Sequence, residues 1–474
     1  MQDSEGPRKK SPEELAAEQK ATSEISGPLT EFLNKKVTRR EAISTVGKIA
    51  VGVVVVAAAG AGAAYYLTRP TGPTVAEVVI GCPFPLSGGS SGLGQDSQAM
   101  AQIFQDQWNA NGGFKGLGGA PLRLIFIDNE TDPNVGRTVA DTLVNTDKVS
   151  AVQNGFLSGL ALTESEETEK AGVPMVTGSS SNPSLTTRGF THFYRLWIGD
   201  DKLALKQFQY LKDELLKNNP GTTVKNIAIL NDDTLFGTGA GKFYAASNND
   251  PTYGGYNIVS NITFHGPATD VTSQVLQLKS AQPDVLFTAM SFVADAVLFQ
   301  KAFKQYNLDF ATMFSSAGHL NPPYQQLGSD AYFPISRLPW SPDLLVTKPW
   351  EQKWQGLFKA KTGKDMYSYP CDTYSCLNTI CDAVNRAKSN DPAKINTALQ
   401  STNLGPDDVM EGYDGVQFSS TGDNTKAKTL FVQLLSDNVW HTVGPSPVAA
   451  YKAVFPQPTW ADRAAGKIPS PVKV

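Results

Sequence analysis

Gly178-Ser179-Ser180-Ser181-Asn182-Pro183 is the stretch of this chain best equipped to meet a small molecule. It follows a short apolar run, Pro174 to Thr177, that reads as a buried strand. At the carboxyl end of a strand in an open α/β sheet, such a loop stands where ligands bind. Small residues there leave N–H groups and hydroxyls free for a carboxylate or carbonyl oxygen. An ordinary Ser-rich turn is the alternative reading. Ser158 lies upstream in Gly155-Phe156-Leu157-Ser158-Gly159, one place too late for the G-x-S-x-G nucleophile elbow. His192, His265, His319 and His441 are scattered, none at metal-ligand spacing, and nothing in the sequence pairs one with Ser158 as a base. The chemistry on offer is binding, with no catalytic residue, metal or cofactor implied.

The chain has 474 residues, too many for one hydrophobic core, so about two to three domains or lobes are expected. A net charge of −4, and no basic stripe with interleaved aromatics in the soluble part, argue against nucleic acid as a partner. Cys371, Cys376 and Cys381 repeat every five residues, a turn of about 140° per step on a helix, so they share no single face. Together with Cys82 they leave two readings open, a disulfide or buried free thiols. Asn129-Glu130-Thr131 and Asn261-Ile262-Thr263 are glycosylation sequons.

Residues 1–48 form a polar leader that ends in a basic stretch containing Arg39-Arg40, followed by the uncharged apolar run 49–67. As a helix that run is about 28 Å long, close to one hydrocarbon core. Lys35 to Lys48 holds five bases against one acid, which places the leader in the cytoplasm and everything after Leu67 outside. The arginine pair is similar to a twin-arginine export signal, and the run reads as a retained membrane anchor or a cleaved signal.

After a linker at 68–76, strand-length runs alternate with amphipathic, helix-length segments. The first series places strands at 78–84, 122–127, 149–154 and 174–177 and helices at 97–111, 135–145 and 160–170. The second places strands at 227–230, 257–264 and 285–288 and helices at 202–217, 238–247, 271–280 and 294–306. Segments 371–388 and 392–401 read as further helices. Phe418 and 430–435 read as strands, with 439–443 as a hairpin partner. Residues 322–366 show no clean periodicity, and the Pro-rich tail 444–474 is expected to wrap the surface. Two β-α series imply an α/β protein of two doubly wound parallel-sheet lobes joined by a hinge. The expected division is 77–197 plus 321–425 for the first lobe and 198–320 plus 426–443 for the second.

Several passages carry a family resemblance. Ile80 to Gly88 is similar to an opening strand and first loop, Trp108 to Phe114 to a first helix end, and Asp128 to Pro133 to a second strand exit. Gly155 to Gly159 and the Ser-rich loop match two ligand loops, Leu235-Phe236-Gly237 an aromatic before Gly, and Tyr369 to Ala387 a late helix. In order and spacing these resemble the periplasmic solute-binding proteins of ABC importers, in the branched-chain amino-acid, amide and urea-binding family (type I periplasmic-binding-protein fold). The resemblance covers about residues 77–440.

It implies a protein that captures a small polar solute between two lobes and hands it to permease subunits on the extracytoplasmic face of the membrane. The implied site is Ser158 and Gly159, whose N–H and hydroxyl hold a carboxylate or amide oxygen, Ser179 and Ser181 on the second loop, and Phe236 packed on the solute. Leu93, Ser291 and Phe292 fall near it from other strands. The bland alternatives are a capping Ser158 and a core Phe236. Amino-acid binders of the family offer an acid near position 318, but here the stretch is Ser315-Ser316-Ala317-Gly318-His319. A buried ammonium without a partner is costly, so a free amino acid needs Asp232, Asp233 or Asp295 as a substitute. A neutral amide, urea or a plain carboxylate fits an acid-free pocket better. A membrane sensor's ectodomain and a serine hydrolase are the rival classes.

Overall fold

The computed structural model describes residues 75–474. The leader and the apolar run 49–67 lie outside the described residues. Among those described, no helix is long and apolar enough to cross a membrane.

The first sheet is wholly parallel, with strand order β2-β1-β3-β4-β5. Its strands are β1 (Val78–Phe84), β2 (Leu122–Asp128), β3 (Ala151–Asn154), β4 (Met175–Thr177) and β5 (Phe193–Arg195). β1 is buried along nearly its whole length, the pattern of a strand covered on both faces. Helices α1 (Ser91–Ala110), α2 (Pro133–Asp141) and α3 (Ser158–Ala171) make the crossovers. Asp132 caps α2 by accepting the Asn134 N–H, and Pro133 occupies the first turn, where a missing N–H costs nothing. α3 stops at Gly172, whose φ of 67° suits glycine.

The chain then crosses into a second sheet through α4 (Asp200–Tyr210). There β6 (Asn226–Asp232), α5 (Leu235–Ser247), β7 (Asn257–Phe264), α6 (Thr272–Ala281), β8 (Val285–Ala289), α7 (Val293–Gln305), β9 (Thr312–Ser315) and β10 (Ile335–Leu338) follow. It returns to the first lobe with α8 (Glu351–Thr362), α9 (Ser368–Ala387) and α10 (Pro392–Gln400), then crosses a third time to add β11 (Leu430–Leu434) and β12 (Trp440–Gly444). The second sheet runs β12-β11-β10-β9-β8-β6-β7 and is parallel except at β11 and β12.

Two details depart from expectation. β10 pairs with β9 and β11, so residues 335–338, expected in the first lobe, belong to the second sheet. The residues after Gly444 do more than wrap the surface: Phe455 and Trp460 are buried under the second sheet, and the Trp460 indole N–H donates to Leu308 O at 3.0 Å. An aromatic ring stabilises most when taken out of water, which draws the tail inward.

α9 covers the first sheet with Cys376, Leu377, Ile380 and Cys381 against Val78, Ile80 and Cys82. All four cysteines are buried free thiols, and burial pushes each thiol pKa up. The Asn129 sequon is committed to the fold. Its amide is fully buried and donates to Pro83 O and Glu164 Oε1, whereas Asn261 is exposed on the edge strand β7.

Candidate functional site

The carboxyl ends of both sheets face each other across a cleft, where crossovers leave open α/β sheets free to hold a ligand. The cleft is closed. Asn182 Nδ2 of the first lobe donates to Leu235 O of the second at 2.8 Å, and a Cβ on Gly89 would lie 3.1 Å from the Phe292 ring across the seam. Three spaces lie along it. A central one of 40 Å³ is lined by Ser179, Ser181, Phe236, Arg337, Tyr369 and Asp372, among others. One of 190 Å³ lies beside Leu93, Asp96, Ser291 and Lys364. The third, of 520 Å³, is mostly apolar and shares Leu320, Leu338 and Ser368 with the central one. Another depression of 520 Å³, beside Asp284 and Asp309, sits at the opposite, amino-terminal ends of β8 and β9.

The Ser-rich loop is held from beneath by Arg195, the last residue of β5. Its Nη1 donates to Asn182 O at 2.9 Å and to Ser180 O at 3.4 Å, and its Nη2 to Thr186 Oγ1 at 3.1 Å. Its Nε and Nη2 reach Asp423 Oδ1 at 2.9 and 2.6 Å. A buried carboxyl, Glu164, anchors the neighbouring strands by accepting from Asn129 and Asn154, and Asn154 Oδ1 in turn accepts from Thr177 and Ser180. Burial pushes Glu164 up to about 8, against the pull of its two amide donors.

From this base the predicted residues go to different places. Ser181 Oγ donates to Asp200 Oδ2 at 2.9 Å, and Arg337 Nη2 donates to the other oxygen of Asp200 at 2.7 Å. Ser181 is thereby linked to β10 of the second lobe through one buried carboxylate. Burial raises the Asp200 pKa, opposed by the Arg337 charge and both hydrogen bonds. Ser179 Oγ donates to Asp372 Oδ2 of α9, and Phe236 presents its ring from the start of α5, 6.0 Å from the Arg337 guanidinium. Leu93 and Ser291 line the 190 Å³ space instead. Ser158, Gly159 and Phe292 line none of the three. Ser158 Oγ accepts the Asn182 N–H at 3.3 Å, tying two loops together, and a Cβ on Gly159 would touch only Pro133 at 3.5 Å. No imidazole is hydrogen-bonded to Ser158 among the described residues, so the nucleophile–base contact of a serine hydrolase is not formed.

The three candidate acids fare differently. Asp232 accepts from Thr234 and from the Ser291 N–H, and Asp233 pairs with His265 at 2.6 Å. Asp295 accepts the Ala268 N–H with one oxygen and has no partner on the other. None of them lines the cleft spaces described above.

Two ionisable groups that sequence reasoning missed do line the central space. Arg337 sits on β10 within the aperiodic stretch, where only four strand residues mark it. Asp372 is the one acid on the buried face of α9, four residues before Cys376, and an acid among buried positions was a readable signal. Asp372 Oδ1 and Glu411 Oε1 are both buried without a hydrogen-bond partner. Burial, then the Glu411 charge, pushes Asp372 well above the usual carboxylate range. Lys348 fixes the Glu411 loop by donating to the carbonyls of Pro406, Val409 and Glu411.

Two lobes closed over a Ser-lined crevice is the geometry of solute capture, and residues 77–438 match the family model described as periplasmic binding protein. The chain belongs to the periplasmic binding protein family. A Leu/Ile/Val-binding protein homolog from Brucella abortus is 26% identical over 392 residues, 81% of this chain and 96% of that protein. Among solved structures, the branched-chain amino-acid transporter binding protein LivJ from Streptococcus pneumoniae, in complex with isoleucine, is 19% identical. It superposes with a TM-score of 0.67 over 78% of this chain and all of that one (100%). An ABC-transporter solute-binding protein from Rhodopseudomonas palustris in complex with 3,4-dihydroxybenzoic acid is 16% identical, with a TM-score of 0.65 over 77% and 95% of the two chains. These structures share the two-lobe fold, and relatives of this family are solute-binding proteins rather than enzymes. Membership implies an extracytoplasmic location.

Proposed function

We propose that the protein is the extracytoplasmic solute-binding component of an ABC importer. It captures a small polar solute (an amino acid, amide, urea or small carboxylate) between its lobes and delivers it to permease subunits, held at the membrane by residues 49–67 where these are not cleaved. The observation that carries this reading is that Ser179 and Ser181 of one lobe and Phe236 of the other line one crevice at the strand ends. Loop N–H groups, positioned by the Ser179 and Ser181 hydroxyls bound to Asp372 and Asp200, satisfy solute oxygens, and the aromatic ring removes the solute from water when the lobes close. A solute that touches both lobes favours the closed form by its differential affinity for it. The closed pair of lobes then forms the surface a permease recognises.

Thermal unfolding of the purified protein against amino acids, amides, urea and small carboxylates tests this. A solute at 100 times its dissociation constant adds about 2.7 kcal/mol of stability. The expected result is a clear rise in midpoint for one class, reduced in Ser179→Ala and Ser181→Ala. A ligand whose affinity is untouched by both substitutions binds elsewhere.

A further inference from the structure

The central crevice has room for a carboxylate-sized group, about two or three waters' worth, while the space that shares its Leu320–Leu338 wall is mostly apolar and more than ten times larger. Arg337 lines the central crevice. Its side chain is 5% exposed, its Nη groups are engaged by Asp200 and Tyr244, and its Nε–H has no partner. A buried donor left unsatisfied is costly, and a carboxylate is the acceptor that a guanidinium edge fits best.

We propose that the solute is a monocarboxylate with an apolar body and no ammonium group, its carboxylate held by Arg337 Nε–H and the backbone N–H of Ser179, its body lying against Leu338, Trp340 and Trp440. This rests on the importer reading and narrows it.

The absence of an ammonium follows from the state of the acids around the cleft. Asp372, the carboxyl that lines the central crevice, accepts from Ser179, and burial with the Glu411 charge beside it holds it well above the usual carboxylate range, so it offers no free anion. Asp200 is taken by Arg337 and Ser181, and Asp232 and Asp233 are hydrogen-bonded within their own lobe. Asp96, beside the 190 Å³ space, is bound by Lys364 and Tyr367. An amino acid would bury its ammonium against carboxyls already paired or held neutral, a penalty its deaminated analogue escapes.

Calorimetric titration of the full-length protein with matched pairs decides the matter: 4-methylpentanoate against leucine, and 3-phenylpropanoate against phenylalanine. The deaminated acids are expected to bind at least about tenfold tighter. Arg337→Lys keeps the charge beside Asp200 but loses the Nε–H, and should weaken both acids by about tenfold or more. Leu345→Trp narrows the apolar space at a partly exposed wall and should weaken 3-phenylpropanoate while leaving acetate unchanged. If Arg337→Lys does not fold, Leu345→Trp decides alone. Tighter binding of either amino acid, or acids indifferent to these substitutions, overturns the proposal and leaves the importer reading standing. Failure of all four solutes and the wider panel to bind overturns both.

Discussion

Replacing Arg195 with leucine should loosen the Ser-rich loop and cost the fold about 3 kcal/mol. The side chain is 2% exposed and spends its donors on Asn182 O, Ser180 O, Thr186 and Asp423. Stripping one member from a buried ion pair typically costs about 3–5 kcal/mol, since the partner is left charged and unpaired. Asp423 is 23% exposed and recovers some hydration, which selects the lower end of that range. At about 2–4 °C per kcal/mol for a lobe-sized unit, the midpoint should fall by about 6–12 °C. Urea titration followed by intrinsic fluorescence measures it, with the slope checked for two-state behaviour. Removing Asp423 as well, in Arg195→Leu/Asp423→Leu, should restore part of the loss because no lone charge remains. Solute affinity should drop in the single variant, since Ser181 moves with the loop. A loss below about 1 kcal/mol, or a double variant worse than the sum of its parts, would refute the claim that Arg195 braces the loop.

Stability should fall as pH rises from about 5 to 8. Glu164 moves from 4.5 to about 8 on folding, so the folded state holds a proton that the unfolded chain has released in that window. Its contribution is fully present below 4.5 and is lost by the time pH passes 8, about 5 kcal/mol at the outside. Glu351, pushed up to about 8 by burial, acts in the same direction. Denaturation midpoints at pH 5 and 8 test this, and Glu164→Gln should flatten the slope. A Cβ on Gly239 would sit 2.4 Å from Asn182 Nδ2 across the seam, so Gly239→Ala should shift the population towards open lobes. Small-angle scattering should then show a larger radius of gyration, and calorimetry a weaker solute affinity. Trp460→Ala, which empties a site under the second sheet, should cost about 3–5 kcal/mol by chemical denaturation.

The parallel core was legible because β1, β6 and β8 are buried on both faces and therefore read as unbroken apolar runs between amphipathic helices. β5, β9 and β10 were not. Each is three or four residues long, and β5 and β10 carry Arg195 and Arg337, charges that in sequence look like surface. Those two arginines are buried because partners arrive from far along the chain, Asp423 for one and Asp200 for the other. A single sequence shows local periodicity but not such distant pairings. The same limit explains Asp372, whose meaning depends on Ser179 and Glu411, 193 and 39 positions away. Ser158 shows the converse: its position at the head of α3 was plain, while the target of its hydroxyl, the Asn182 backbone, was not.

The three crossings between lobes also set an order of events during synthesis. A ribosome that has delivered β10 has produced a second sheet whose flank still lacks β11, β12 and the Trp460 plug. That flank must wait while the whole α8–α10 segment is made for the other lobe. Unpaired strand edges invite association with other chains, so the nascent protein carries an adhesive edge for nearly a hundred residues of translation. Whatever machinery receives this chain before it leaves the cytoplasm must shield that edge, or keep the chain from forming its sheets until the last residues have emerged.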